Sequence, residues 1–311
     1  MFGSHLSIAG GLVNALNEAE TLNMDCVQVF TKNQRQWKAA PLSDEARTQW
    51  LAKLKALGWH KTRGPARVVS HNSYLINLAS PDRALREKSI ALQREEVERC
   101  ETLKIRLLVS HPGAHMGKPR ARDDVNDLEA KPNKDELAGL KRITKSLDQL
   151  HKDLPGYATI TCLETTVGAG TTLGYSFHQL AYLREHIQEA DRVGYCFDTC
   201  HVTAAGYDMT TRAKAAAVLG QWDEVCGHAN LCVFHLNDSV GELGSRKDRH
   251  AHIGHGTCGL ACFGAIVNHR GFAGVPKVLE TPKDRDEKGV PWDVRNIRRL
   301  KRLVRAPKSG R

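Results

Sequence analysis

The chain has 311 residues, of which 41% are hydrophobic and 26% charged, with a mean hydropathy of -0.42. These values describe a folded globular chain rather than a disordered, collagen-like or membrane-spanning one, and the length suits one large α/β barrel or two ordinary domains. The balance of 45 basic against 35 acidic side chains, net +10, suggests a polyanionic partner, but eight of those bases and no acid lie in 295–311, leaving the first 294 residues near +2.

The N-terminus, Met-Phe-Gly-Ser-His, carries no basic-then-apolar leader, and no uncharged stretch is apolar enough to span a bilayer. No membrane partner is expected. The expected location is intracellular, in the cytoplasm or nucleoid of a bacterium or the nucleus of a eukaryote. A β-like run at 3–8 is followed by a helical pattern at 11–22, a run at 24–30 (MDCVQVF) by a helix at 43–57, and a run at 66–71 (ARVVSH) by a helix at 82–103. The series continues with runs at 105–111, 159–164, 193–198, 231–236 and 275–280, and helices at 134–152, 174–189, 210–227, 259–270 and 291–304. Eight unbroken alternations predict a closed (β/α)8 TIM barrel with a metal site at the C-terminal face of its strands. One barrel domain over 1–294 and a basic C-terminal tail over 295–311 are expected, the tail either solvated, in contact with nucleic acid or a targeting signal. A charged stretch at 114–136 reads as a solvated loop that could touch DNA through Lys118, Arg120 and Arg122. Nine cysteines without a C-x-x-C pair read as reduced thiols, several of them inside apolar runs.

Seven of the eight runs end in or just before an acid-base or metal-capable side chain: His5, His71, His111, Glu164, Asp198, His235 and Glu280. Any one could be a structural histidine or a turn-forming acid. Seven at the same structural phase converge on one pocket, because parallel strands of a barrel all end on one face. Two clusters add donors: Asp198 and His201 three residues apart, and Asp248 with His250 in the loop after His235. Imidazole and carboxylate without thiolate suit zinc, iron or manganese. The nine donors His71, His111, Glu164, Asp198, His201, His235, Asp248, His250 and Glu280 are too many for one tetrahedral ion and suffice for three if a carboxylate bridges two.

The segments FTKNQRQW (30–37), SHNSYLINLASP (70–81), SHPGAH (110–115), ETTVGAG (164–170), CFDTCHVTAAGYD (196–208), HLNDS (235–239), GSRKDRHAHIGHG (244–256) and LETP (279–282) resemble, in order, the signature segments of the endonuclease IV family of apurinic/apyrimidinic endonucleases. That resemblance implies a xylose-isomerase-like TIM barrel with three Zn2+ per chain. One ion would be held by His71, His111 and Glu164, a second by Glu164, Asp198, His235 and Glu280, and the third by His201, Asp248 and His250. Glu164 would be the catalytic bridge that positions a hydroxide nucleophile. The implied activity is that of a phosphoric diester hydrolase of the deoxyribonuclease IV type in base excision repair. It would act as a monomer on double-stranded DNA containing abasic sites, cutting 5′ to the lesion to leave a 3′-hydroxyl and a 5′-deoxyribose phosphate. Removal of blocked 3′ ends, as a 3′-phosphodiesterase or 3′-phosphatase, is a further implied activity. Arg35, Tyr74 and Leu75 would fill the gap left by the displaced nucleotide, which suits side chains able to wedge or stack.

Thr165, Ala169 and His255 stand where the family commonly has Asn, Gln and Glu, so the surroundings of the ligands and the substrate range are expected to differ there. His5 could orient a ligand or be structural, and Asn237 and Asp238 could position ligands or contact DNA. The competing reading is a metal-dependent sugar isomerase or epimerase, since Glu164, Asp198, His235 and Glu280 alone resemble the metal quartet of that group. Such a site has no use for the other five donors. A DNA-binding protein on a decayed barrel is the third reading, and the intact donor set speaks against it.

Overall fold

The computed structural model describes residues 1–61, 64–120 and 127–305. Strands β1 (Phe2–His5), β2 (Cys26–Val29), β3 (Val68–His71), β4 (Leu107–Ser110), β5 (Ile160–Glu164), β6 (Val193–Asp198) and β7 (Leu231–His235) enter a closed barrel. The barrel is completed by β10 (Lys277–Leu279), which pairs in parallel with both β7 and β1. All eight pairings are parallel, so the strands end on one face. The TIM barrel expected from the alternation is therefore present.

The helices follow the strands as α1 (Val13–Thr21), α2 (Asp44–Ala56), α3 (Arg83–Leu103), α4 (Lys134–Asp153), α5 (Phe177–Glu185), α6 (Thr199–Ala205), α7 (Arg212–Val225), α8 (Leu260–Val267) and α9 (Trp292–Leu303). Local chemistry starts several of them. Ser43 accepts from the Ala46 amide at the start of α2, Asp82 accepts from Ala84 and Leu85 ahead of α3, and Asn133 with Glu136 forms a reciprocal capping box on α4. Trp222 of α7 is fully buried against Phe177, Tyr195 and Phe197, with ring centroids 4.9–5.5 Å away, and joins α5 and α7 to β6.

Two expectations are corrected. The boundary at 294/295 falls inside α9, whose Asn296, Ile297 and Leu300 are buried, so the first nine residues of the expected tail are part of the barrel wall. Residues 306–311 lie outside the described residues. In the 114–136 stretch, Arg120 is committed to Glu136 at 2.7 Å and to the Lys131 carbonyl, and the Lys118 amide donates to Asp135 at 2.9 Å. The Arg120 guanidinium is thus held within its own segment, the Lys118 contact is made by its backbone, and Arg122 lies outside the described residues. The short α6 and the antiparallel pair β8 (Asp238–Ser239) and β9 (His250–Ala251) were not expected. The pair carries His250 back toward the barrel mouth.

Inside the barrel the period of two sets distinct layers. Two positions before each strand-end donor sits a small or apolar residue: Val69 before His71, Val109 before His111, Cys162 before Glu164, Cys196 before Asp198, Val233 before His235 and Val278 before Glu280. Alternation points both members of each pair to the same inward face. Val69, Val109, Cys162, Cys196 and Val233 pack into a separate apolar cluster, a dry floor beneath the polar mouth.

Candidate metal centre

Glu164 is buried at the end of β5 and addresses two groups of donors with its two oxygens. Nε2 of His71 and Nε2 of His111 lie 3.3 and 3.2 Å from Oε2. Nδ1 of His235 lies 2.9 Å from Oε1, 3.1 Å from Glu280 Oε2 and 3.8 Å from Asp198 Oδ2. The third group surrounds Asp248, whose Oδ1 is 3.3 Å from His201 Nε2 and 3.4 Å from His250 Nε2. Within each of the three groups, donor atoms from every member lie within 4.8 Å of one another. All nine side chains singled out in the sequence are thus brought together. Asp198 links the second and third groups, with Oδ2 3.7 Å from His250 Nε2.

The imidazoles are held in defined tautomers. A carbonyl can only accept, so Nδ1–H of His71 donates to the Asn72 carbonyl at 2.8 Å, that of His201 to Thr165 at 2.8 Å and that of His250 to Glu280 at 3.2 Å. Each leaves Nε2 facing the site. His235 is reversed: its Nε2–H donates to Gln28 Oε1 at 2.8 Å, which leaves Nδ1 facing Glu164. Orienting metal-binding histidines through the far nitrogen is how such sites preserve ligand basicity.

Burial depresses the His201 imidazole, but Asp198, Asp248 and Glu164 raise it well above its ordinary value. Burial opposes His235 likewise, and Cys196, Glu280 and Glu164 outweigh it. The carboxyls respond in the other direction. Burial would raise Glu164, yet His235 and His111 hold it well below the carboxylate range, and His235 does the same for Glu280. The pocket therefore demands positive charge among its carboxylates. Nε2 of His201 and of His250 are buried and make no hydrogen bond among the described residues, although both aim at Asp248. Buried lone pairs and carboxylates at this spacing fit divalent metal ions. Cys196 and Cys200 approach the same groups, and burial pushes both thiols up to about 12.

Two residues that the sequence reading passed over, or left open, organise the donors. Gln28 of β2, fully buried, accepts from His235 and donates to Glu280 Oε1 at 2.7 Å and to His5 Nδ1 at 3.0 Å. Its signal was a lone amide at an inward position of the apolar run MDCVQVF. Asn237 donates to Asp198 Oδ2 at 2.7 Å and accepts from the Glu280 amide at 2.7 Å. Asp238 instead holds the loop behind, accepting from the amides of Gly254, Gly256 and Cys258 at 2.7–3.1 Å. Thr165 accepts from the Asp198 amide at 2.9 Å, Ala169 lines a cavity of about 340 Å³ above His71 and His111, and His255 packs edge-on against Trp292. His115 is buried and accepts from the Gly117 amide at 3.1 Å.

Tyr74 is exposed and stands at the mouth, its ring centroid 5.4 Å from that of His71 and 6.2 Å from that of His111. It lines both the 340 Å³ cavity and a second of about 720 Å³ shared by Arg35, His250 and Glu280. Arg35 is exposed on the loop after β2, whereas Leu75 is half-buried against the core.

A barrel of this topology with its donors at the strand ends defines the class, and a family model described as a xylose isomerase-like TIM barrel matches residues 16–303. Proteins named probable endonuclease 4 are 43% identical in Chloroflexus aggregans, over 98% of both chains, and 41% identical in Geobacter sulfurreducens, over 97% of this chain and 94% of that one. The crystal structure of endonuclease IV from Thermus thermophilus superposes with a TM-score of 0.78 at 30% identity, covering 97% of this chain and 98% of that one. The chain belongs to the endonuclease IV family of apurinic/apyrimidinic endonucleases. A D-tagatose 3-epimerase-like protein shares the fold alone, with a TM-score of 0.66 at 17% identity. Among the described residues no helix is long and apolar enough to cross a membrane.

Proposed function

We propose that the protein is a zinc-dependent endonuclease of base excision repair that hydrolyses the phosphodiester 5′ to an abasic site in double-stranded DNA, leaving a 3′-hydroxyl and a 5′-deoxyribose phosphate. The observation that carries this reading is the division of Glu164, with Oε2 toward His71 and His111 and Oε1 toward His235 and, beyond it, Glu280. A single carboxylate placed between two donor groups suits a bridged pair of ions, with His201, Asp248 and His250 holding a third beside them.

Bound zinc would supply Lewis acidity, activating water at neutral pH and stabilising charge on the phosphate and leaving oxygen. The protein's part is placement. His71, His201, His235 and His250 present lone pairs whose direction is set by Asn72, Thr165, Gln28 and Glu280. The floor of Val69, Val109, Cys162, Cys196 and Val233 excludes water from beneath the site, which strengthens the electrostatics above it. Tyr74 is exposed at the mouth and offers a ring to the stack where a base is missing, and Arg35 brings a cation to the neighbouring phosphates. An abasic nucleotide loses little stacking when it leaves the helix, so the wedge selects it over intact neighbours.

The test is incision of a duplex carrying one abasic analogue. Zinc-replete protein should nick on the 5′ side of the lesion, with about three zinc ions per chain by metal analysis. Absence of a nick would end the nuclease reading, and one divalent ion with activity on ketoses would install the isomerase in its place.

A further inference from the structure

Outside the metal centre, a concentration of basic side chains lies along α9. Arg295, Arg298, Arg299 and Arg302 occupy positions i, i+3, i+4 and i+7 and therefore share one helix face. With Lys288 they line a groove of about 530 Å³, walled by Trp292 and His255, in which Asp286 is the one carboxylate among the described residues against five cations. Several surface arginines elsewhere meet acids, as in Arg83 with Glu87 at 2.7 Å, Arg192 with Glu189 at 3.5 Å and Arg94 with Asp153. Here Arg295 alone does so among the described residues, with Asp286. Arg298, Arg302 and Lys288 are exposed and have no acidic partner among the described residues.

The groove is built rather than incidental. The guanidinium of Arg299 donates to the Ile253 carbonyl at 2.8 Å and lies across Gly254, where a Cβ would stand 2.7 Å from Cζ. Gly254 has φ +75°, so the absence of a side chain there serves both the turn and the approach of Arg299. Trp292 is stacked on His252, with centroids 4.0 Å apart and planes 7° apart, and Arg295 lies 5.4 Å from the same ring. Asn296 joins the groove to the metal centre: its side chain accepts from the Ile253 amide at 3.1 Å and donates to Thr281, the neighbour of Glu280, at 3.0 Å. The groove thus begins at the rim that carries His250 and Glu280 and runs down the outer wall for about 10 Å, at 1.5 Å per helical residue.

We propose that this groove is a second anion site, which takes consecutive phosphates of the DNA duplex outside the incised nucleotide and so anchors the flanking helix on α9. The proposal rests on the nuclease reading above, because the ligand it takes is the flank of that substrate. An array of cations at helical spacing, continuous with the mouth and fixed from behind, matches a strand of regularly spaced phosphates better than a single small anion.

The test measures affinity for an undamaged duplex as a function of salt. A variant combining Lys288→Gln, Arg298→Gln and Arg302→Gln is compared with wild type and with a control of equal charge, Lys55→Gln, Lys104→Gln and Lys152→Gln, exposed side chains at the C-terminal ends of α2, α3 and α4. Each phosphate contact contributes about 0.9 to the slope of log affinity against log salt, so the groove variant should lose a slope of roughly 2 to 3. Its deficit relative to wild type should shrink by roughly fortyfold between about 50 and 200 mM salt. The control should keep the wild-type slope, and the lysine replacements Arg298→Lys and Arg302→Lys should retain most of it. A groove variant with the wild-type slope, in protein that still incises abasic duplex, overturns the site and leaves the nuclease reading intact. Saturable binding of inorganic phosphate that the variant loses while its DNA slope is unchanged overturns the duplex as ligand. Wild-type protein that neither binds nor incises duplex removes the nuclease reading itself, and the proposed ligand with it.

Discussion

His235 at the mouth of the barrel and His151 near the C-terminal end of α4 are both buried, and burial depresses both imidazoles, yet they are shifted in opposite directions from the ordinary value. Around His235 stand Glu164 and Glu280, at 2.9 and 3.1 Å, and they reverse the effect of burial. At His151 burial, reinforced by Arg192, outweighs the weaker opposing pull of Glu189 and Asp148 and pushes the imidazole down to about 4. The first histidine sits where the protein has gathered carboxylates and needs cations to balance them. The second is a packing residue whose charge the fold excludes. Strand ends at the mouth are polar and the floor two residues below them is apolar, so the same eight strands provide both a reactive layer and its support.

The largest effect expected from breaking this arrangement is at the bridge. Glu164→Gln removes the charge shared by two donor groups, and should lower zinc content below three per chain and incision by at least roughly a thousandfold, read by metal analysis and single-turnover rates. Incision within roughly tenfold of wild type would remove Glu164 from the role given to it. Trp222→Ala tests the support rather than the chemistry. A fully buried indole wedged among Phe177, Tyr195 and Phe197 should cost about 3–5 kcal/mol of stability by denaturant unfolding, with the zinc stoichiometry of the remaining folded protein unchanged.

A smaller effect should follow at Gln28, which touches both His235 and Glu280. Gln28→Leu leaves the His235 Nε2–H unpaired and frees its ring to turn, so zinc affinity should fall by roughly 10- to 100-fold while the fold survives. Equal affinity in a competition titration with a chelator would show that Gln28 only fills space.

Most of the fold and the convergence of the nine side chains on one mouth were legible, because they rest on signals that survive in one dimension. Strand runs bounded by helical patterns give the barrel, and strand-final His, Glu and Asp residues share a phase that parallel topology turns into proximity. What escaped lacks such periodicity. The helix α6 has seven residues, too few for a repeat, and forms because Asp198 caps it, with Oδ1 accepting from the His201 amide at 2.9 Å while Oδ2 faces the donors. One aspartate thus starts the helix and fixes the approach of His201. Gln28 escaped because an amide in an apolar run shows nothing of the three partners that make its burial tolerable. The basic end was misjudged because its charge is conspicuous and its apolar stripe of Ile297, Leu300 and Leu303 is short, although that stripe packs α9 onto the barrel.

The smallest effect expected is at His151, where the contrast with the mouth becomes a pH dependence of stability. An imidazole near 6.5 in the unfolded chain and about 4 in the folded one means that the unfolded state binds the extra proton between those values. Its contribution is neutral above about pH 6.5, turns unfavourable as pH falls and is complete below about 4. With allowance for solvent screening, lowering pH from 7 to 5 should remove roughly 1 kcal/mol through this residue. His151→Leu abolishes the titration and also removes the buried Nδ1, which has no partner among the described residues. Urea unfolding of metal-free wild type and variant at both pH values isolates the term, because the histidines of the mouth titrate identically in both proteins. The variant should lose less stability than wild type on acidification. Parallel losses would mean that His151 is solvated enough to charge in place, and the sharp division between the barrel's two ends would soften accordingly.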